Sequence, residues 1–138
     1  MKRTYLDSSV LIHAVQGGDG GGTVALLEDP GREFVAATFL KLELLPQPSF
    51  HRRARELAFL EEFFSRIVAW EHASEVLLAD ALHEAAQVPL SAVDAIHVAA
   101  ARRLQADEFV TGEKPGKPLH QVKGIRVVFL AAGSARGK

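Results

Sequence analysis

Ser91-Ala92-Val93-Asp94-Ala95-Ile96-His97-Val98-Ala99-Ala100-Ala101 reads as a helix that carries a carboxylate in its first turn. Val88-Pro89-Leu90 breaks the chain ahead of it, and Ser91 stands at the N-cap. The small and apolar residues behind Asp94 predict a helix to about Gln105. Ser91 and Asp94 also have capping-box spacing, in which the third residue after the cap reaches back to a backbone amide. The two roles are compatible, because a carboxylate in a first helical turn remains available to a ligand. After this helix, residues 108–111 read as a strand that delivers Thr111-Gly112-Glu113. The chain opens on the same arrangement: residues 3–6 read as a short buried strand ending on Asp7.

Between these ends strands and helices alternate. Residues 23–29 predict a helix stopped by Pro30-Gly31, and residues 33–37 a second strand. Thr38 stands where an N-cap belongs, for a helix that ends at Pro46. Pro46-Gln47-Pro48 reads as a break before a helix over 50–66, which carries Leu57, Leu60, Phe63, Phe64 and Ile67 at helical spacing. Residues 67–70 read as a third strand and 125–130 as a fifth. Residues 74–87 read as a helix with Leu78, Ala81, Leu82 and Ala85 on one side and Asp80 on the other. Val10 to Val15 fits either a helix or an extended segment. Gly17 to Gly22 lacks the Lys-Ser/Thr of a phosphate-binding loop and reads as a connector, and residues 131–138 as a frayed tail. The alternation implies one α/β domain over residues 1–138, with a parallel sheet of four to five strands flanked by helices. Ligands of such sheets bind beyond the carboxyl ends of the strands. Asp7 and Glu113 both fall on that edge.

Composition narrows the function. With 138 residues, 48% of them hydrophobic, the chain buries roughly two-thirds of its unfolded surface and needs no staple to fold. The absence of cysteine excludes disulfides, zinc-thiolate sites and thiol nucleophiles. Asp7 interrupts any signal-peptide core, and no apolar run approaches bilayer length, so the expected location is the cytoplasm. A net charge of −1 lacks the basic excess of a non-specific duplex-DNA binder. Nucleic-acid contact would then rest on local clusters: Arg52-Arg53-Arg55, Arg102-Arg103, and Lys114 with Lys117. Each also reads as an ordinary solvated face.

Four acids, Asp7, Glu43, Asp94 and Glu113, lie against core-forming sequence, where a charge is costly unless compensated. Each admits a structural role: a helix cap or turn for Asp7, a helix surface for Glu43, a capping box for Asp94, a plain loop for Glu113. Together they suggest more. Two carboxylates about 5 Å apart at an effective dielectric near 20 repel by roughly 3 kcal/mol. A hydrated Mg²⁺ relieves that repulsion, orients a phosphate and helps deprotonate a water. The six histidines show no paired metal-ligand spacing. His97, one turn after Asp94, reads as an ordinary helix-packing residue, with a place near the site as the alternative.

The motifs Tyr5-Leu6-Asp7-Ser8-Ser9-Val10-Leu11-Ile12, Leu42-Glu43-Leu44, Ser91 to Ala101 and Phe109-Val110-Thr111-Gly112-Glu113 resemble, in order and spacing, those of the PIN-domain nucleases. The compact VapC-type toxins are the nearest likeness, over about residues 4 to 130. The family usually has aspartate or asparagine where this chain has Glu113. The resemblance implies a Mg²⁺- or Mn²⁺-dependent ribonuclease acting on RNA. By it, Asp7, Glu43, Asp94 and Glu113 hold the metal, the last through water if its longer side chain falls short, and Ser9 and Thr111 are supporting hydroxyls. It also implies a cognate antitoxin and a homodimer. The broad apolar face of the 50–66 helix suggests that Phe59 and Phe63 stay partly exposed and receive an apolar antitoxin segment. Two other readings stay open: an idle module of the same fold that binds RNA or protein, and a phosphohydrolase with Asp7 as nucleophile. The second lacks the acid two residues on that such enzymes use.

Overall fold

The computed structural model describes residues 1–16 and 22–131. The strands are β1 (Lys2–Leu6), β2 (Arg32–Ala37), β3 (Ile67–Glu71), β4 (Glu108–Thr111) and β5 (Arg126–Phe129). They form one parallel sheet in the order β3-β2-β1-β4-β5. The helices are α1 (Ser8–Val15), α2 (Thr23–Leu27), α3 (Phe39–Leu44), α4 (Pro46–Phe50), α5 (Ala54–Ser65), α6 (Glu75–Gln87) and α7 (Ala92–Arg103), with a short 3₁₀ turn at Pro118–Gln121. The α/β architecture expected from the alternation is present, with five strands.

Strand alternation feeds two cores. Tyr5, Val35, Ala37 and Phe109 face one side, where Leu77 and Ala81 of α6 and Ala95, Val98 and Ala99 of α7 cover them. Leu6, Phe34, Ala36 and Val110 face the other, under Val10, Leu11, Leu40, Leu60 and Phe63. Small residues along α7 let that helix approach the sheet closely. Strand order reverses between β1 and β4, and the crevice outside their carboxyl ends is where a ligand enters such a sheet. The Asp7 amide donates to the Val110 carbonyl at 3.2 Å, so the first residue beyond β1 is tied to β4.

Several local expectations are corrected. The Val10–Val15 ambiguity resolves as helix, begun by Asp7 as N-cap. Thr38 makes no side-chain cap; its backbone is already helical, and its hydroxyl meets the Glu71 carbonyl at 3.5 Å. Pro46-Gln47-Pro48 does not break the chain but starts α4, because proline lacks only an amide that a first helical turn leaves unpaired. The interruption falls later, at Arg52, whose φ is 53°. Leu78 and Leu82 are exposed, at 57% and 73%, and α6 buries Leu77, Ala81 and Glu84 instead. Glu84 tolerates burial because the Arg102 guanidinium donates to both its oxygens. Phe63, expected to be partly exposed, is 2% exposed and packs against Phe34 at 6.1 Å. Phe59 is half-buried at the edge of the same core. The connector and tail expectations fall largely on residues 17–21 and 132–138, outside the described residues.

Candidate active site

Asp7 leaves β1 and caps α1, and both its oxygens are engaged. Oδ1 accepts from the Ser9 amide at 3.0 Å and from the Ser9 hydroxyl. Oδ2 accepts from the Thr111 hydroxyl at 2.7 Å. Ser9 Oγ in turn accepts from the Gly112 amide at 2.8 Å, and Thr111 Oγ1 from the Glu113 amide at 3.1 Å. A Cβ on Gly112 would stand 3.1 Å from Ser9 Oγ, so glycine leaves room for the loop after β4 to approach the start of α1. Burial pushes the Asp7 carboxyl above its ordinary range against these hydrogen bonds and nearby His97.

Asp94 sits in the first turn of α7, where its amide donates to Ser91 Oγ at 3.1 Å. Its carboxyl shares a hydrogen bond with that of Glu113. Burial, that bond and the Glu113 charge push Asp94 up to about 6, and the Glu43 charge adds to the shift. The Asp94 carboxyl therefore releases its proton less readily than an exposed aspartate does. The longer glutamate reaches from its loop to the helix.

Glu43 projects from α3. Its Oε2 accepts from Ser8 Oγ at 3.1 Å, and its Oε1 lies 2.5 Å from His97 Nε2. His97 is 1% exposed and packs edge-on to the rings of Tyr5 and Phe39. Its Nδ1 bonds the Tyr5 hydroxyl. Burial holds the Tyr5 phenol well above its ordinary pKa, so the phenol stays protonated and donates to Nδ1. Nε2 then carries the imidazole proton and donates to Glu43. The packing role expected of His97 is present, and a polar chain runs through the same ring. Reading by sequence assigned nothing to Tyr5 or Ser8. The one available signal was the three-residue step from Asp94 to His97, which puts both on one face of α7.

A buried acid elsewhere supplies the contrast. Burial pushes Glu108 up, but Arg32 Nε and Thr4 Oγ1, each at 2.6 Å, outweigh it and hold that carboxyl below its ordinary range. Among the described residues Asp7, Asp94 and Glu113 have no Lys or Arg partner. No three His, Asp or Glu side chains among the described residues form a ready ligand set. Of the four acids, Asp94 and Glu113 are brought into direct contact, while Asp7 and Glu43 bond hydroxyls, an amide and His97 instead. A donor set of such carboxylates, all hard oxygen and short of positive charge, fits Mg²⁺ or Mn²⁺, since Mg²⁺ commonly binds one or two carboxylates and keeps several waters.

The sequence matches the PIN domain family over residues 4–114, a span that contains all four acids. The chain is a PIN domain. No curated protein sequence matches it. Among solved structures, this PIN domain is similar to a toxin–antitoxin complex from Klebsiella pneumoniae, with a TM-score of 0.72 and 18% identity over 91% of this chain and 95% of that one. It is also similar to VapBC2 from Rickettsia felis bound to a promoter DNA fragment, with a TM-score of 0.69 and 14% identity over 91% and 96% of the two chains. DNA-bound VapBC from Salmonella typhimurium gives a TM-score of 0.69 and 18% identity over 92% and 97%. At these identities the likeness is one of fold.

Proposed function

We propose that this PIN domain is a Mg²⁺- or Mn²⁺-dependent endoribonuclease and the toxin of a type II toxin–antitoxin pair. The observation that carries the reading is the set of acids without cationic partners at the carboxyl edge of β1 and β4, where the Asp94 carboxyl meets that of Glu113. A bound divalent ion supplies charge neutralisation at a phosphodiester and a more acidic water. Asp7, Asp94 and Glu43 would hold that ion, with Glu113 beside Asp94. Ser9 and Thr111 keep the Asp7 carboxylate aimed by engaging both its oxygens. Arg53, which among the described residues has only a long ion pair to Glu56 at 3.8 Å and lines a cleft of about 170 Å³ next to Glu43, and Lys114 and Lys117 on the loop after β4 suit the RNA backbone. Arg102 and Arg103 do not, being committed to Glu84, Glu71 and Asp80. The test is incubation of the purified protein with single-stranded RNA, with and without Mg²⁺, alongside Asp94→Asn. Cleavage that needs both metal and Asp94 supports the reading; an inert wild type leaves the idle binding module.

The Asp94–Glu113 pair makes a separate prediction. Glu113→Gln removes the neighbouring charge, so Asp94 should titrate below about 6 in an NMR pH series. Cleavage should fall by about tenfold to a hundredfold, as for an outer partner of a ligand. A loss equal to that of Asp7→Asn would make Glu113 a full ligand.

The reading includes a cytoplasmic homodimer and a protein antitoxin. Support for the antitoxin comes from the toxin–antitoxin complexes among the similar structures and from an apolar groove of about 650 Å³ between α3, α4 and α5. Lys41, Leu45, Leu57, Phe64 and Trp70 line it; Phe59 and Phe63 do not. Leu57→Glu should therefore weaken antitoxin binding by about thirtyfold, roughly 2 kcal/mol, in a calorimetric titration. Cleavage by the free toxin should be unchanged. Unaltered affinity would place the antitoxin elsewhere.

A further inference from the structure

We propose that His97, backed by Tyr5, is a positioning residue that holds the Glu43 carboxylate in its ligand rotamer. The inference rests on the metal-dependent reading above and assigns Glu43 a support that reading does not need.

The backbone under Glu43 does little to hold its side chain. The residue comes from a helix of six residues, and its immediate neighbour Leu42 is 66% exposed. A glutamate there has three rotatable bonds and water to turn into. Two contacts restrain it, the Ser8 hydroxyl and His97 Nε2. The His97 contact is the shorter and comes from a ring with no freedom. That ring is buried between Tyr5 and Phe39, and its far nitrogen is tied to the Tyr5 hydroxyl. Tyr5 is itself fully buried and stacks on Phe109 at 5.2 Å. A continuous chain thus runs from the centre of the sheet, through α7, to a carboxylate on α3. Each link has one sense: phenol to Nδ1, then Nε2–H to carboxylate. The proton on Nε2 is set by what Nδ1 accepts, so Tyr5 decides that the ring presents a donor to Glu43. Carboxylates that bind metals are commonly oriented by such outer hydrogen bonds. A merely packed histidine would leave Glu43 indifferent to it.

The test measures Mn²⁺ affinity by calorimetry and RNA cleavage in parallel. His97→Leu should weaken Mn²⁺ binding and cleavage each by about tenfold to a hundredfold. His97→Gln places an amide donor near the position of Nε2 and should recover most of both. On a Glu43→Gln background, His97→Leu should have no further effect on Mn²⁺ affinity. Wild-type Mn²⁺ affinity in His97→Leu overturns the proposal. So does a loss that persists undiminished on the Glu43→Gln background, since His97 would then act on the fold rather than through Glu43. If His97→Leu does not fold, Tyr5→Phe carries the same comparison. It should lower Mn²⁺ affinity several-fold with Glu43 present and not at all with Glu43→Gln, and equal effects on both backgrounds overturn the proposal. Failure of the nuclease reading looks different: a wild type that binds Mn²⁺ without cutting RNA, with the calorimetry still deciding His97. A wild type that binds no Mn²⁺ overturns both.

Discussion

Asp7→Asn is expected to reduce RNA cleavage roughly a thousandfold or more while the fold stands. The side chain is 4% exposed and lies where β1 meets β4, so no other group takes its place. Stability should not suffer. Burial raises the Asp7 pKa, which means the folded protein holds its proton more tightly than the unfolded chain does. Stability therefore falls as pH rises from the unfolded value of 3.8 through the raised folded value, and the charged form is the unfavourable one at neutral pH. An amide removes that cost. Its oxygen can keep the Ser9 amide and hydroxyl, and the Thr111 hydroxyl can rotate to accept from its NH₂ group. Melting without metal at pH 7 should show Tm unchanged or raised by a few degrees, with the gap narrowing at pH 4. A large drop in Tm would make Asp7 a structural cap and remove it from the site.

Metal removal should have an effect of similar size. Excess EDTA should stop cleavage, and Mg²⁺ or Mn²⁺ should restore it. By linkage, an ion at one hundred times its Kd adds about 2.7 kcal/mol of stability. For a domain of this size that is a Tm rise of roughly 10 °C. The increment should depend on pH in a stated direction. Asp94 must be ionised before it can serve as a ligand, and its pKa is about 6. The metal-induced rise should thus be full at pH 7.5 and much smaller at pH 5. Calcium should raise Tm while supporting little turnover, because its looser coordination positions a phosphate less well. Cleavage that continues in EDTA would sink the metal mechanism.

Much of this was legible along the chain. Period and punctuation located the strands and most helices, because residues 3–6, 33–37 and 108–111 are short apolar runs and their neighbours carry caps and breaks that act within a few residues. Strand ends then brought Asp7 and Glu113 to one edge by the general rule for parallel sheets. The failures lie where local rules compete with packing. Pro46 obeys a helix-start rule that reads equally well as a break. On α6 the 78–82–85 and 77–81–84 faces are both apolar enough, and burial of Glu84 against Arg102 selects the second. Phe63 and Phe59 are interchangeable by composition, and contact with Phe34 on β2 decides which one is core.

By itself the sequence determined the alternation of elements and the parallel sheet, and it singled out four candidate acids, since each depends on patterns legible within short segments. Tertiary structure alone decided their pairing. Asp94 meets Glu113, and Glu43 meets His97 across 54 positions, because strands β1 and β4 are neighbours and α3 and α7 end over the same edge. Long-range contacts of this kind are set by how whole elements pack, and no local preference of Glu43 or His97 encodes them.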